Sequence, residues 1–213
     1  MRNKILKEKR LSEAIKLFPQ IKILHCLGYG NRGEAYLMED GSVMKITIDR
    51  EEFDTALTIK GRRLKHIIDI YECYKFECIY DDGDLDNLFC IKEELLDTTS
   101  KKEIIQKFVA LFKRAWFSIY FSDIAKFQRA TFDDLDEYMR NPNRYSKAIN
   151  FTKEYIISEG NKLGLEKEFD DIYNQLLAAY MELYRFAPKS HLDLNDGNIG
   201  FTSEGVLKIF DMQ

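Results

Sequence analysis

Apolar positions recur along this chain with two different periods, and the change between them falls near residue 95. Up to residue 18, Leu6, Leu11, Ile15 and Leu17 form a loose stripe among Lys and Glu, which predicts a helix. Phe18-Pro19-Gln20 ends it, because a residue before proline is pushed out of the helical region. Residues 21–27, 34–38 and 42–47 then read as strands, the last two joined by a turn at Glu39-Asp40-Gly41. Helical spacing returns over 49–60, with Gly61 placed to stop it. Residues 67–80 read as a long strand, with room for a turn at Glu72-Cys73, and 87–94 as its return after a tip at 81–84.

Beyond residue 95 the period is helical. Ser100 precedes Lys101-Lys102-Glu103, the pattern of an N-cap with its capping-box partner. Ile105, Phe108, Val109, Phe112, Ala115 and Trp116 lie on a wide apolar face that runs to residue 121. Further helices are predicted over 131–140, capped by Thr131 and stopped at Asn141-Pro142, and over 145–158. A break follows at 160–164. The stretch 165–186 is strongly periodic through Phe169, Ile172, Tyr173, Leu176, Leu177, Tyr180, Leu183 and Tyr184, and Pro188 ends it. The chain finishes with two short strands turned at Ser203-Glu204-Gly205. Strands first and helices afterwards predict an α+β fold.

Composition narrows this only a little. A chain of 213 residues can bury one substantial core or two small ones. Net charge −4 with 32% charged and 45% apolar residues is ordinary for a soluble protein. The basic runs 4–10 and 62–65 have no aromatic residues interleaved for stacking on bases, so they read as solvated helix faces and nucleic acid is not an expected partner. No apolar run approaches the ~18 residues needed to span a membrane, and no leader is evident, so the expectation is a cytoplasmic protein without a membrane partner. Cys26, Cys73, Cys78 and Cys90 lack metal-type spacing and read as buried free thiols, with zinc or disulfides as alternatives.

Two clusters carry candidate chemistry. Gly28-Tyr29-Gly30-Asn31-Arg32-Gly33 has G-x-G-x-x-G spacing, which alone could equally mark a dinucleotide site. A dinucleotide fingerprint opens a helix, however, whereas here strands follow and the second contains Lys45. The other cluster is His191-Leu-Asp193-Leu-Asn195-Asp-Gly-Asn198, a polar loop ahead of the terminal strands and Asp211. Asp193, Asn198 and Asp211 offer a base and two oxygen ligands of the kind Mg²⁺ prefers.

Taken together these residues resemble the protein kinase superfamily, with H-x-D-x-x-x-x-N at 191–198 for the catalytic loop and Asp211-Met212-Gln213 in the place of D-F-G. The resemblance implies a bilobal fold: an antiparallel strand-rich lobe with one helix, residues 1–95, and a mainly helical, C-terminally truncated lobe, 96–213. ATP and Mg²⁺ would bind in a cleft between them. It implies that Lys45 pairs the α/β-phosphates and is itself paired by a glutamate from the 49–60 helix. Glu51, Glu52 and Asp54 are candidates. Glu52 shares a face with Ala56 and Ile59 at i, i+4 and i+7, so Glu52 is favoured and Glu51 is next. Gly28, Gly30 and Gly33 would cradle the phosphates under Tyr29. Glu93 and Leu95 would present backbone groups to adenine, with Lys92 behind the pocket. Asp193 would act on the acceptor hydroxyl, His191 would position its loop, and Asn198 and Asp211 would hold the metal.

Three departures qualify the likeness. Ala35 replaces the usual valine, Asn195 stands where protein kinases carry a lysine, and Met212-Gln213 replaces Phe-Gly. The sequence stops two residues after Asp211, without an activation segment or the helices that normally follow it. In this it is similar to minimal bacteriophage-encoded Ser/Thr protein kinases, which would act in the host cytoplasm. The implied activity is transfer of the γ-phosphoryl group to a hydroxyl on a protein. A small-molecule acceptor, as in aminoglycoside and choline kinases, and a pseudokinase that binds a protein partner are the alternatives, and oligomeric state is left open.

Overall fold

The computed structural model describes residues 2–20, 22–30, 32–79, 85–123, 146–190, 192, 194–210 and 212. His191, Asp193 and Asp211, the tip at 81–84 and the helix expected at 131–140 lie outside the described residues. The fold is mixed α+β, a multi-stranded sheet followed by helices. The chain divides into two compact units. One comprises Met1–Leu64 and Ile68–Leu95, the other Lys65–Ile67 and Leu96–Gln213.

The first unit is an antiparallel sheet with a helix on each face. Helix α1 (Arg2–Ile15) leads into β1 (Ile23–Tyr29), β2 (Gly33–Met38) and β3 (Val43–Thr47). After α2 (Arg50–Ile59) come β4 (Ile70–Ile79) and β5 (Leu85–Glu93), giving the order β1-β2-β3-β5-β4. Burial alternates along β2 as a pleated strand requires. Ala14 and Phe18 lie against Tyr36, Met38, Met44, Ile46 and Cys90. Phe89, the neighbour of Cys90, instead stacks on Phe53 of α2, ring centroids 4.5 Å apart. Consecutive strand residues face opposite sides, so α1 and α2 cover opposite faces of the sheet.

Helix α2 starts where a cap is supplied. The Asp49 carboxylate accepts hydrogen bonds from the Glu51 and Glu52 amides, satisfying donors that would otherwise have no partner. Gly61, at φ +74°, turns the chain out of the helix, and Arg62 Nε donates to the Thr58 carbonyl at 2.9 Å. Between Ile70 and Glu72 the β4–β5 register shifts. The break allowed for at Glu72-Cys73 is thus a local irregularity in a continuous strand. Cys26 departs from the expected buried thiols. It lies on edge strand β1, which is exposed along nearly its whole length, while Cys78 and Cys90 are buried.

In the second unit, α3 (Lys102–Asp123), α4 (Ser146–Lys162) and α5 (Glu166–Phe186) precede the hairpin β6 (Ile199–Phe201) and β7 (Leu207–Ile209). Phe108, Phe112, Phe169 and Tyr173 form a buried aromatic cluster, Phe108 meeting Phe169 edge-on at 5.7 Å. Gly160 does not break α4 but lies inside it. A Cβ there would come within 2.8 Å of the Phe169 ring, so the residue permits close approach of α4 and α5. The break is made by Gly164, at φ +69°. Helix α3 begins at Lys102, one residue later than a Ser100 cap predicts. Asp97 gathers the loop before it, accepting from the Thr99 amide and hydroxyl, both at 2.8 Å, and from the Ser100 amide at 3.1 Å. Among the described residues, no helix is long and apolar enough to cross a membrane.

Candidate functional site

The glycine hairpin is built by β1 and β2. Its tip closes with the Gly30 amide donating to the Gly33 carbonyl at 2.9 Å. Gly28 pairs with Ala35 beyond a register shift in β1, and Tyr29 is 76% exposed. The three glycines differ in what they answer to. A Cβ on Gly33 would lie 2.6 Å from the Ile46 carbonyl oxygen, so the sheet itself requires glycine there. A Cβ on Gly28 or Gly30 would meet nothing within 4 Å. Among the described residues, none packs against the position a Cβ would take on those two backbones.

Lys45 occupies the middle of β3, opposite Ala35 on β2 and Ile91 on β5. Its ammonium forms an ion pair with Glu52 from the first turn of α2, and the two side chains are only 15% and 8% exposed. The helical phase explains the choice of glutamate. Glu52 is buried on the same face as Ala56 and Ile59, Glu51 is exposed, and the Asp54 carboxylate faces solvent beside Arg50 at 3.5 Å. Removing a cation and a carboxylate from water is costly, and their mutual attraction offsets that cost only with good geometry.

The expected adenine-facing positions lie at the end of the sheet. Glu93 closes β5 and is buried, and Leu95, 45% exposed, follows it. Lys92 does not stand behind the same face as Lys45. Its cross-strand partner is Met44, the residue before Lys45, so it points to the α1 side. There its ammonium meets Asp40 at 2.8 Å and Glu72 at 3.8 Å, beside the Phe18 ring.

In the second unit the loop before β6 is folded back on the end of the chain. Leu192 and Met212 form an antiparallel bridge, and the Phe210 amide donates to the Asn198 carbonyl at 3.0 Å. A short 3-10 turn, Asp196–Asn198, is capped by the Asn195 side chain, which accepts from the Gly197 amide at 2.8 Å. Asn198 is buried. Of the two expected metal ligands, then, Asn198 is held against Phe210, the residue that precedes Asp211 in sequence. An amide oxygen and a carboxylate are donor types that suit Mg²⁺. Among the described residues no three His, Cys, Asp or Glu side chains gather as a metal site.

Sequence reading missed one participant. Arg32, in the turn between Gly30 and Gly33, forms an ion pair with Asp49, the cap of α2. Burial raises the Asp49 carboxyl pKa, but hydrogen bonds from Arg32 and the Glu51 and Glu52 amides outweigh it and hold the group below its ordinary value. An arginine lodged among glycines, where no apolar period accounts for it, is the signal that would have drawn attention to it. No protein-family model matches the chain, and no curated protein matches its sequence.

Proposed function

We propose that this chain is an ATP- and Mg²⁺-dependent phosphotransferase with a protein kinase-like bilobal fold, acting on a protein hydroxyl. The observation that carries the reading is the buried Lys45–Glu52 ion pair between β3 and α2. The other buried residues of that helix are Phe53, Thr55, Ala56 and Ile59, none of them charged, and apolar residues of similar volume would have filled the site at least as stably. A lysine held there, one strand pairing from a glycine hairpin where a Cβ at Gly28 or Gly30 would meet none of the described residues, is suited to receive phosphate oxygens.

ATP would supply the phosphoryl group, with Mg²⁺ neutralising charge on its phosphates. Lys45, oriented by Glu52, would bind the α/β-phosphates, and the hairpin backbone would donate to them. Asp193 would orient the acceptor hydroxyl and take its proton, His191 would hold that loop by hydrogen bonding, and Asn198 with Asp211 would hold the metal. Glu93 and Leu95 would offer their backbone groups to adenine.

Calorimetric titration with MgATP tests the first half. Lys45→Ala should weaken binding roughly 10- to 100-fold, the range for losing a hydrogen bond to a charged group. Because that change strands Glu52, Lys45→Met with Glu52→Gln serves as the neutral counterpart. Equal affinity in wild type and both variants would remove Lys45 from the site. Transfer from radiolabelled ATP to proteins in a host-cell lysate, run beside a panel of hydroxyl-bearing metabolites, tests the second half. Labelled protein bands should vanish with Asp193→Ala, and label confined to metabolites would replace the protein acceptor with a small one.

A further inference from the structure

Asp49 does two jobs with one carboxylate. Its Oδ1 accepts from the Glu51 amide at 2.9 Å and the Glu52 amide at 3.3 Å, capping α2. Its Oδ2 pairs with Nη1 of Arg32, seventeen residues earlier in the glycine turn. Capping alone calls for a neutral acceptor as readily as a charged one, since Asn, Ser and Asp serve about equally. A carboxylate with a side chain only 7% exposed needs a cation if its charge is to be tolerated. The negative charge at position 49 thus answers to Arg32 as well as to the helix amides, and a neutral cap would lose the Arg32 link alone.

The backbone at Arg32 is tied to the same corner. Its carbonyl accepts from the Ile48 amide at 3.0 Å and the Thr47 hydroxyl at 3.3 Å, and the Thr47 oxygen accepts from the Asp49 amide at 3.0 Å. The main-chain bond sets where the turn lies. The ion pair adds a link that the backbone does not provide, from the turn to the first turn of α2, which carries Glu52.

We propose that Arg32 is a positioning residue: through Asp49 it locks the glycine hairpin to α2, so that the hairpin backbone and the Lys45–Glu52 pair reach a nucleotide as one preset unit. This deepens the phosphotransferase reading and rests on it. Presetting a loop removes an ordering cost that binding would otherwise meet, so its loss appears in nucleotide affinity and not in the chemical step.

The variants are Arg32→Ala, Asp49→Asn, which keeps the cap, and the two combined. Each single change should raise Kd for MgATP and KM for ATP by roughly three- to tenfold, leave kcat within about twofold, and give no further loss in the double variant. Amide hydrogen exchange of residues 28–33 without nucleotide should quicken in both single variants, with helix content unchanged by circular dichroism. Weakening by Arg32→Ala but not by Asp49→Asn would mean that Arg32 touches phosphate itself and would overturn the lock. Unchanged exchange over 28–33 would overturn it as well. Quickened exchange in a wild-type background that binds no MgATP would leave the mechanical link standing while removing both its nucleotide role and the phosphotransferase reading.

Discussion

At the scale of single residues, the charges that matter are those the sheet has taken out of water. Lys92 illustrates this on the α1 side, where its buried ammonium meets Asp40, a turn carboxylate that stays 39% exposed. Burial raises the Asp40 carboxyl pKa, but the Lys92 ammonium and the Ser42 hydroxyl and amide outweigh it and bring it down to about 2. A carboxyl whose folded value lies below its ordinary 3.8 contributes stability that is complete above the ordinary value and is lost as pH falls toward 2. Urea midpoints measured at roughly pH 5 and pH 3 should therefore drop further in wild type than in Asp40→Asn. Identical drops would mean that the Asp40 bonds do not survive in solution. Sequence spacing reached Glu52 because i, i+4, i+7 is a local rule. It misplaced Lys92 because the face of a strand residue depends on register with its partners, and it passed over Arg32 because a pairing seventeen residues long exists only once the hairpin has formed.

Among the elements, those with a clean period were legible and their ends were not. The pattern of β2, β3, α2 and α5 places all four within a few residues of where they lie. The start of α3 was misjudged because Asp97, three residues before Ser100, takes the loop amides first. The sequence predicts a break at Gly160 because glycine disfavours helix interiors by about 1 kcal/mol, yet in this fold it serves the contact of α4 with α5. Two effects oppose each other there. Alanine at 160 would favour the helix by about 1 kcal/mol, but its Cβ would press on a fully buried Phe169 ring, and overpacking of this kind costs about 1–3 kcal/mol. Steric conflict should win, so Gly160→Ala is expected to lower the thermal midpoint by several degrees. An unchanged or raised midpoint would show that Phe169 can move aside.

For the whole molecule, no local rule announced the excursion of Lys65–Ile67 into the second unit. Its attachments are specific. The His66 amide donates to the Glu182 carboxylate at 2.8 Å, its Nδ1 lies 3.0 Å from the Leu207 carbonyl, and its own carbonyl accepts from the Ile209 amide at 3.0 Å. Ile67 bridges Ile209 in parallel and is fully buried. His66→Ala leaves the two backbone bonds but strands the Leu207 carbonyl and opens a cavity, so a loss of about 2–3 kcal/mol is expected. Urea denaturation followed by fluorescence of Trp116, the single tryptophan, would measure it, and a change within about 0.5 kcal/mol would mean that the ring is dispensable. The same anchor sets a schedule on synthesis. Leu207 is 141 residues downstream of His66, and at about 5–20 residues per second a ribosome needs roughly 7–28 seconds to make the stretch between them. Throughout that interval the strands of the first unit can pair, while the three residues interrupting them wait for a surface that has not yet been translated.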